Sequence, residues 1–168
     1  MLELDAWLEI AKSAALKGGK YLLENQGQEL KILLNEGRDI KLQLDTDTEK
    51  LIKDSLGSQS EFSILGEETG LSNDLGEFYW VVDPLDGTSN FLRDIPISCV
   101  SIALMQNLTP ILGVIYDFNH DDLYFGHLES KAFLNQIEIA VSNYSEKSQS
   151  TLVTGIPAKT HYSDNEFQ

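Results

Sequence analysis

The sequence has few of the features that mark secreted, membrane or disulfide-stabilised proteins. Cys99 is the only cysteine among 168 residues, so no disulfide can form within the chain. No apolar run is long enough to cross a bilayer, and no signal-peptide pattern opens the sequence. These absences predict a cytoplasmic protein. Cys99 lies in the strand-like apolar segment 97–104, which favours a small packing residue over a nucleophile.

Basic residues are also scarce. The chain has 12 Lys and Arg against 27 Asp and Glu, which gives a net charge of −15. This charge excludes a nucleic-acid polymer or an anionic membrane surface as a favourable partner, because both would be repelled. A phosphorylated small molecule would be repelled as well, unless bound cations reversed the sign of the charge locally.

The apolar residues that are present indicate a folded α+β domain. They make up 42% of the chain, enough to build a core. An amphipathic pattern predicts a helix over residues 3–24, and a second helix is predicted over 46–56, with Thr46 and Glu49 as a capping box. Three strands are predicted further on, at about 97–105, 111–118 and 122–127. Helices followed by an antiparallel meander predict a layered α+β fold.

The polar segment after this meander predicts a change of domain. Residues 1–145 are expected to form an N-terminal α+β domain. Residues 146–168 are expected to be a linker and the start of a second, truncated α/β domain, opened by a strand at 151–154.

The most informative segment carries two carboxylates at the end of an apolar run. Phe78 to Val82 predicts a strand covered on both faces. Pro84 has no N–H for a sheet ladder, so the strand is expected to end at Asp83. The Asp86-Gly87 pair then predicts a tight turn. Two carboxylates held close together repel each other, and a hard cation such as Mg²⁺ would relieve that repulsion.

A second acidic group, Gly66-Glu67-Glu68, follows a short predicted strand just upstream. Between Glu61 and Asp94 there are eight acidic residues, and Arg93 is the only basic one. Protein cations therefore cannot neutralise this cluster, which leaves bound metal or full solvation. Composition alone is compatible with solvated loop acids on a plain interaction domain, whereas carboxylates fixed at a strand end favour a metal site.

These residues carry a resemblance. Gly66-Glu67-Glu68 followed by the segment from Trp80 to Phe91, Trp-Val-Val-Asp-Pro-Leu-Asp-Gly-Thr-Ser-Asn-Phe, resembles the signature of the inositol monophosphatase family. The resemblance implies a layered α/β sandwich of the inositol monophosphatase and fructose-1,6-bisphosphatase type, with helices packed on a largely antiparallel sheet. It also implies Mg²⁺-dependent, lithium-sensitive hydrolysis of a small phosphorylated substrate such as inositol monophosphate, and a possible homodimer. 3′-Phosphoadenosine 5′-phosphate and fructose bisphosphate remain alternative substrates.

The resemblance also implies the ligands of two or three Mg²⁺ ions. Glu67, Asp83 and the backbone carbonyl of Leu85 would bind one ion. Asp83 and Asp86 would bind a second, and Glu67 would also touch a third ion. A further metal-binding Asp in a Trp-Asp motif is expected in the family. That motif does not occur in this sequence, in which leucine and valine follow the two tryptophans. A catalytically incomplete metal-binding or regulatory fragment is therefore an alternative.

Three further residues have roles implied by the same resemblance. Thr88 and Glu67 would orient the attacking water, and the amides of Gly87 and Thr88 would bind a phosphate oxygen. Asp45 would lie near Thr88 as a supporting carboxylate, although its position before the second helix is equally typical of a helix cap.

Overall fold

The structure is a computed structural model that describes residues 3–28, 31–36, 39–72, 74–143, 146, 148 and 151; the side chains of residues 34–41 are outside that description. Nearly all of the predicted linker and second domain, including residues 152–154 of the predicted strand, lies outside the described residues. Everything that follows on the fold concerns the described residues.

The described chain contains two long helices, one short helix and ten strands. The helices are α1, Leu4–Asn25, α2, Gln43–Gly57, and the single turn α3, Thr88–Phe91. The strands are β1, Ile32–Glu36; β2, Asp39–Leu42; β3, Ser63–Gly66; β4, Gly70–Leu71; β5, Phe78–Asp86; β6, Cys99–Gln106; β7, Thr109–Asp117; β8, Asp122–His127; β9, Ala132–Leu134; and β10, Ile137–Ile139. The predicted first helix and the predicted meander are confirmed, each within two residues at either end.

Eight strands form one sheet in the order β10-β9-β8-β7-β6-β5-β3-β4, and β1 pairs with β2 in a separate ribbon. Every neighbouring pair in the large sheet is antiparallel except β3 and β5, which run parallel. The predicted α+β fold, with helices on a largely antiparallel sheet, is confirmed.

The two long helices cover one face of the large sheet. Helix α1 contacts β6, β7 and β8, and α2 contacts β5. Alternate strand residues face the helices, as the pleat requires, and Trp80 at the centre of β5 has 0% exposure. Its indole N–H donates to the Ser60 hydroxyl at 2.8 Å. Around it, the rings of Trp7, Phe62 and Phe78 pack edge-on or tilted, with centroids 5.2–5.6 Å apart.

The predicted end of β5 at Asp83 is wrong. The strand continues through Pro84 to Asp86, and its register with β6 shifts between Asp83 and Asp86. The missing N–H of proline is tolerated because it falls in this irregularity rather than in the regular ladder. As a result, both carboxylates are carried by the strand itself and not by a loop beyond it.

The predicted start of α2 and its capping box are also wrong. The helix begins at Gln43, and a carboxylate oxygen of Asp45 accepts the backbone N–H of Leu42 at 2.9 Å. Asp45 is therefore confirmed as a capping residue. Thr48 is buried and its hydroxyl donates to the Leu44 carbonyl at 2.7 Å. Glu49 does not cap the helix; it bonds to the β3–β4 turn instead.

Among the helices that the structure describes, none combines the length and the apolar character needed to span a bilayer.

Buried Gly19 allows α1 to approach the sheet closely. A methyl group at this position would lie 2.5 Å from the Tyr116 ring and 3.0 Å from Cβ of Phe118.

We therefore expect Gly19→Ala to lower the free energy of unfolding by about 1–3 kcal/mol through overpacking, measured by urea denaturation. Gly57 at the end of α2 has open space around it. Gly57→Ala should leave stability unchanged or raise it by up to about 1 kcal/mol, since alanine is the better helix former. Equal effects of the two substitutions would contradict this packing.

Candidate metal and phosphate site

The parallel pairing of β3 with β5 brings the acidic groups together. Gly66, the last residue of β3, pairs with Val82, so the residues that follow each of them meet at the same edge. The backbone N–H of Glu67 donates to the Val82 carbonyl at 3.0 Å, which fixes Glu67 next to Asp83. The carboxyl ends of parallel strands are common ligand positions in sheets with this arrangement.

The parallel register places the side chains of Glu67 and Asp83 next to each other, close enough for Glu67 to raise the pKa of Asp83. Burial, then the adjacent Glu67 carboxyl group, and then the charge of Asp86 together raise the pKa of Asp83 to about 8. Two carboxyl groups can be this close without a cation only if one of them holds a proton. The fold therefore holds together two groups that repel each other when both are ionised.

The irregularity in β5 between Asp83 and Asp86 brings Asp83, Leu85 and Thr88 into contact through hydrogen bonds. The N–H of Leu85 donates to Asp83 Oδ1 at 3.2 Å, and the Thr88 hydroxyl donates to the Leu85 carbonyl at 3.1 Å. A carbonyl oxygen has two lone pairs, so this bond leaves one free for a further ligand. Asp86 is exposed at the end of the strand.

Gly87 links β5 to α3 in a conformation that favours glycine. Its φ is +89°, and a Cβ there would lie 2.7 Å from the Ile97 carbonyl oxygen. From this turn α3 packs against β2, and β2 leads directly into α2 and the buried carboxylate of Asp45. Thr88 and Asp45 are thus placed on neighbouring elements.

The donor set fits Mg²⁺ in its chemistry. All the predicted ligands are oxygen atoms, which Mg²⁺ prefers. Two basic side chains lie near them: the Arg93 guanidinium donates to the Ser89 carbonyl at 2.8 Å, and the Lys53 ammonium donates to the Gly70 carbonyl at 3.1 Å. In the described part of the chain, no three Asp, Glu, His or Cys side chains are already arranged around a common metal position.

A cleft of about 480 Å³ adjoins these residues. Its lining includes Asp86, Gly87 and Cys99 together with Asp117 and His120 from the β7–β8 turn. His120 Nδ1 lies 2.8 Å from Asp117 Oδ2. The sequence predicts only that this turn connects two strands of the meander, and no local pattern indicates that it faces the acidic edge.

Cys99 behaves as a packing residue. Burial, together with the charges of Asp86 and Asp83, raises the pKa of its thiol to about 12. A thiol with such a pKa stays protonated at neutral pH and is a poor nucleophile. Its Sγ atom lies 4.0 Å from Asp86 Oδ2.

A comparison with known proteins identifies the class to which this fold and site belong. The sequence model of the inositol monophosphatase family matches residues 3–167 of the chain. The chain is 34% identical, over 95% of its length, to the fructose-1,6-bisphosphatase/inositol-1-monophosphatase of Aquifex aeolicus. It is 35% identical, over 91% of its length, to the inositol-1-monophosphatase of Synechocystis sp.. The solved inositol monophosphatase from Anabaena (Nostoc) sp. PCC 7120 superimposes on 86% of the chain with a TM-score of 0.74 and 35% identity.

The chain therefore belongs to the inositol monophosphatase family. It spans 62% of the Aquifex protein, 54% of the Synechocystis protein and 53% of the Anabaena chain. The predicted resemblance to the inositol monophosphatase family is confirmed.

The Asp83 carboxyl predicts a pH dependence of stability in the absence of divalent cations. Its pKa is about 8 in the folded chain and about 3.9 in an unfolded one. Between these values the folded state holds a proton that the unfolded state has released. The free energy of unfolding should therefore fall as pH rises from about 4 to about 8.

This prediction is checked by thermal unfolding in EDTA at several pH values over that range. Asp83→Asn removes the titrating group, so the decline should be shallower in this variant than in the wild type. The same decline in both proteins would show that Asp83 does not carry the effect.

Proposed function

We propose that this chain carries the catalytic metal site of a Mg²⁺-dependent phosphatase that hydrolyses a small phosphate monoester, an inositol monophosphate or a similar sugar or polyol phosphate. The single observation that carries the proposal is the parallel pairing of β3 with β5, which places Glu67 next to Asp83, with Asp86 close enough to contribute to the raised pKa of Asp83. Residues 1–145 would form the metal-binding domain, and 146–168 would lead into a second domain.

In this proposal Glu67, Asp83 and the Leu85 carbonyl hold one Mg²⁺, and Asp83 and Asp86 hold a second. A third ion would contact Glu67. When bound, Mg²⁺ supplies the positive charge that acidifies a water molecule and stabilises the charge that develops on phosphate oxygens. The free second lone pair of the Leu85 carbonyl and the exposure of Asp86 support this assignment.

The remaining residues would orient the attacking water and bind the phosphate group. Glu67 accepts a hydrogen bond from the attacking water, and the Thr88 hydroxyl orients that water from the other side. Asp45, buried at the start of α2, supports the segment next to Thr88. The N–H groups of Gly87 and Thr88 donate to a phosphate oxygen, which the glycine conformation allows to approach closely.

The cleft beside Asp86 supports a small polar substrate. Its volume of about 480 Å³ lies within the range typical of small-molecule sites. Asp117 and His120 on its far wall offer hydrogen-bond partners to hydroxyl groups of a polyol.

The direct experiment measures phosphate release by this 168-residue chain from inositol 1-phosphate, with Mg²⁺ and with EDTA. Fructose 1,6-bisphosphate and 3′-phosphoadenosine 5′-phosphate serve as competing substrates. Release that needs Mg²⁺ would support the proposal, and the best substrate would identify the class. Mg²⁺ binding without any release would instead favour an incomplete, metal-binding fragment.

Asp86→Asn provides a second test. Asp86 is exposed and its side chain packs little, so stability without Mg²⁺ should change by less than about 0.5 kcal/mol. Removing one charged oxygen ligand should weaken Mg²⁺ binding about 10-fold or more and lower turnover with it. Calorimetric Mg²⁺ titration and phosphate release measure the two effects.

Asp94→Asn is the matched control. It removes the same charge from an exposed aspartate a few residues away, and asparagine tolerates the positive φ of 53° at that position. Mg²⁺ affinity should then be unchanged. Equal losses in the two variants would point to a general charge effect, and normal Mg²⁺ affinity and turnover in Asp86→Asn would overturn the assignment.

A further inference from the structure

Glu49 is a charged residue with 0% exposure, a situation that proteins tolerate only when the charge is well paired. Its carboxylate accepts the backbone N–H of Glu68 at 2.7 Å and that of Thr69 at 3.1 Å, and it also bonds the Thr69 hydroxyl. The ammonium group of Lys53 lies 3.1 Å from it. These contacts hold the pKa of Glu49 below its usual value in spite of its burial.

All three hydrogen-bond donors come from the two residues that follow Glu67. On the other side, the N–H of Glu67 is bound to the Val82 carbonyl at 3.0 Å. Glu67 is therefore held between two anchors, a strand of the sheet and a buried carboxylate of α2. Lys53 reinforces the second anchor by donating to the Thr69 hydroxyl at 2.6 Å and to the Gly70 carbonyl at 3.1 Å.

The residue before Glu67 is shaped to admit this carboxylate. Gly66 is buried, and any Cβ there would overlap the carboxyl group of Glu49. Helix α2 and the end of β3 are thus in direct contact through one side chain and one glycine. A cap for an ordinary surface turn would not need a fully buried charge, a partly buried lysine partner and a glycine in contact with the carboxyl group.

We propose that Glu49 is a positioning residue that fixes the Glu67 carboxylate for Mg²⁺, an inference that rests on the proposed function. Mg²⁺ demands a near-ideal arrangement of its oxygen ligands. A ligand on the three-residue turn between β3 and β4 can meet this demand only if the turn itself is held rigid. The buried Glu49 carboxylate, bound to both amides after Glu67, supplies that rigidity.

The test is Mg²⁺ affinity, measured by calorimetry on the 168-residue chain and on Glu49→Gln. The amide cannot accept all the hydrogen bonds that the carboxylate accepts, and it does not attract Lys53. Loss of a group that orients a metal ligand typically weakens metal binding about 10- to 100-fold, and we expect a loss in this range. Circular dichroism in EDTA establishes that the variant is folded.

Asp54→Asn is the matched control, because it removes the same charge from the exposed face of the same helix, where Asp54 pairs with Lys50 at 2.7 Å. Its Mg²⁺ affinity should stay within about twofold of the wild type, as expected for an exposed ion pair. A folded Glu49→Gln variant that binds Mg²⁺ as well as Asp54→Asn does would overturn the inference.

Thr69 provides a test that does not depend on the folding of Glu49→Gln. Thr69→Ser keeps the hydroxyl donor to Glu49 and should keep Mg²⁺ affinity, whereas Thr69→Val removes the donor and should weaken it. Equal affinities in these two variants would contradict the role of Glu49. A wild-type chain that binds no Mg²⁺ would overturn the proposed function itself, and this inference with it, so the two failures are distinguishable.

Discussion

The forced contact between the carboxyl groups of Glu67 and Asp83 is the constraint on which the site depends. The parallel register of β3 and β5 creates it, because Gly66 pairs with Val82 and the next residue of each strand must then meet. Burial and the neighbouring carboxyl groups raise the pKa of Asp83, which favours its protonated form when no cation is bound. In the proposed function, a divalent cation would replace that proton and offset the repulsion between the two carboxylates.

Several independent features of the chain converge on this edge. The Thr88 hydroxyl donates to the Leu85 carbonyl, Gly87 allows the close approach of the Ile97 carbonyl, and Glu49 holds the turn after Glu67 from the helix side. A chain with a net charge of −15 could attract a phosphorylated substrate only where cations reverse its field. The acidic composition and the local geometry are therefore both consistent with the proposed metal site.

The fold class and part of the acidic site were predictable from the sequence. The α+β class followed from periodic helices and a meander, and the Asp83–Asp86 segment from its strand and turn pattern. The irregularity that lets β5 continue through Pro84 was not predictable, because a proline in the sequence usually indicates the end of a strand. Glu49 was misassigned to a helix cap because its true partners lie about twenty residues away, on a turn that only the tertiary fold brings close. Local patterns contain no information about such contacts.

The central claim is tested most directly by locating the cation in a crystal of this chain. Mn²⁺ accepts the same oxygen ligands as Mg²⁺ and gives an anomalous signal. The account predicts an anomalous peak about 2.0–2.2 Å from carboxylate oxygens of both Glu67 and Asp83. Crystals at high Mn²⁺ and at a pH above 8 that show no peak between these two carboxylates would contradict it.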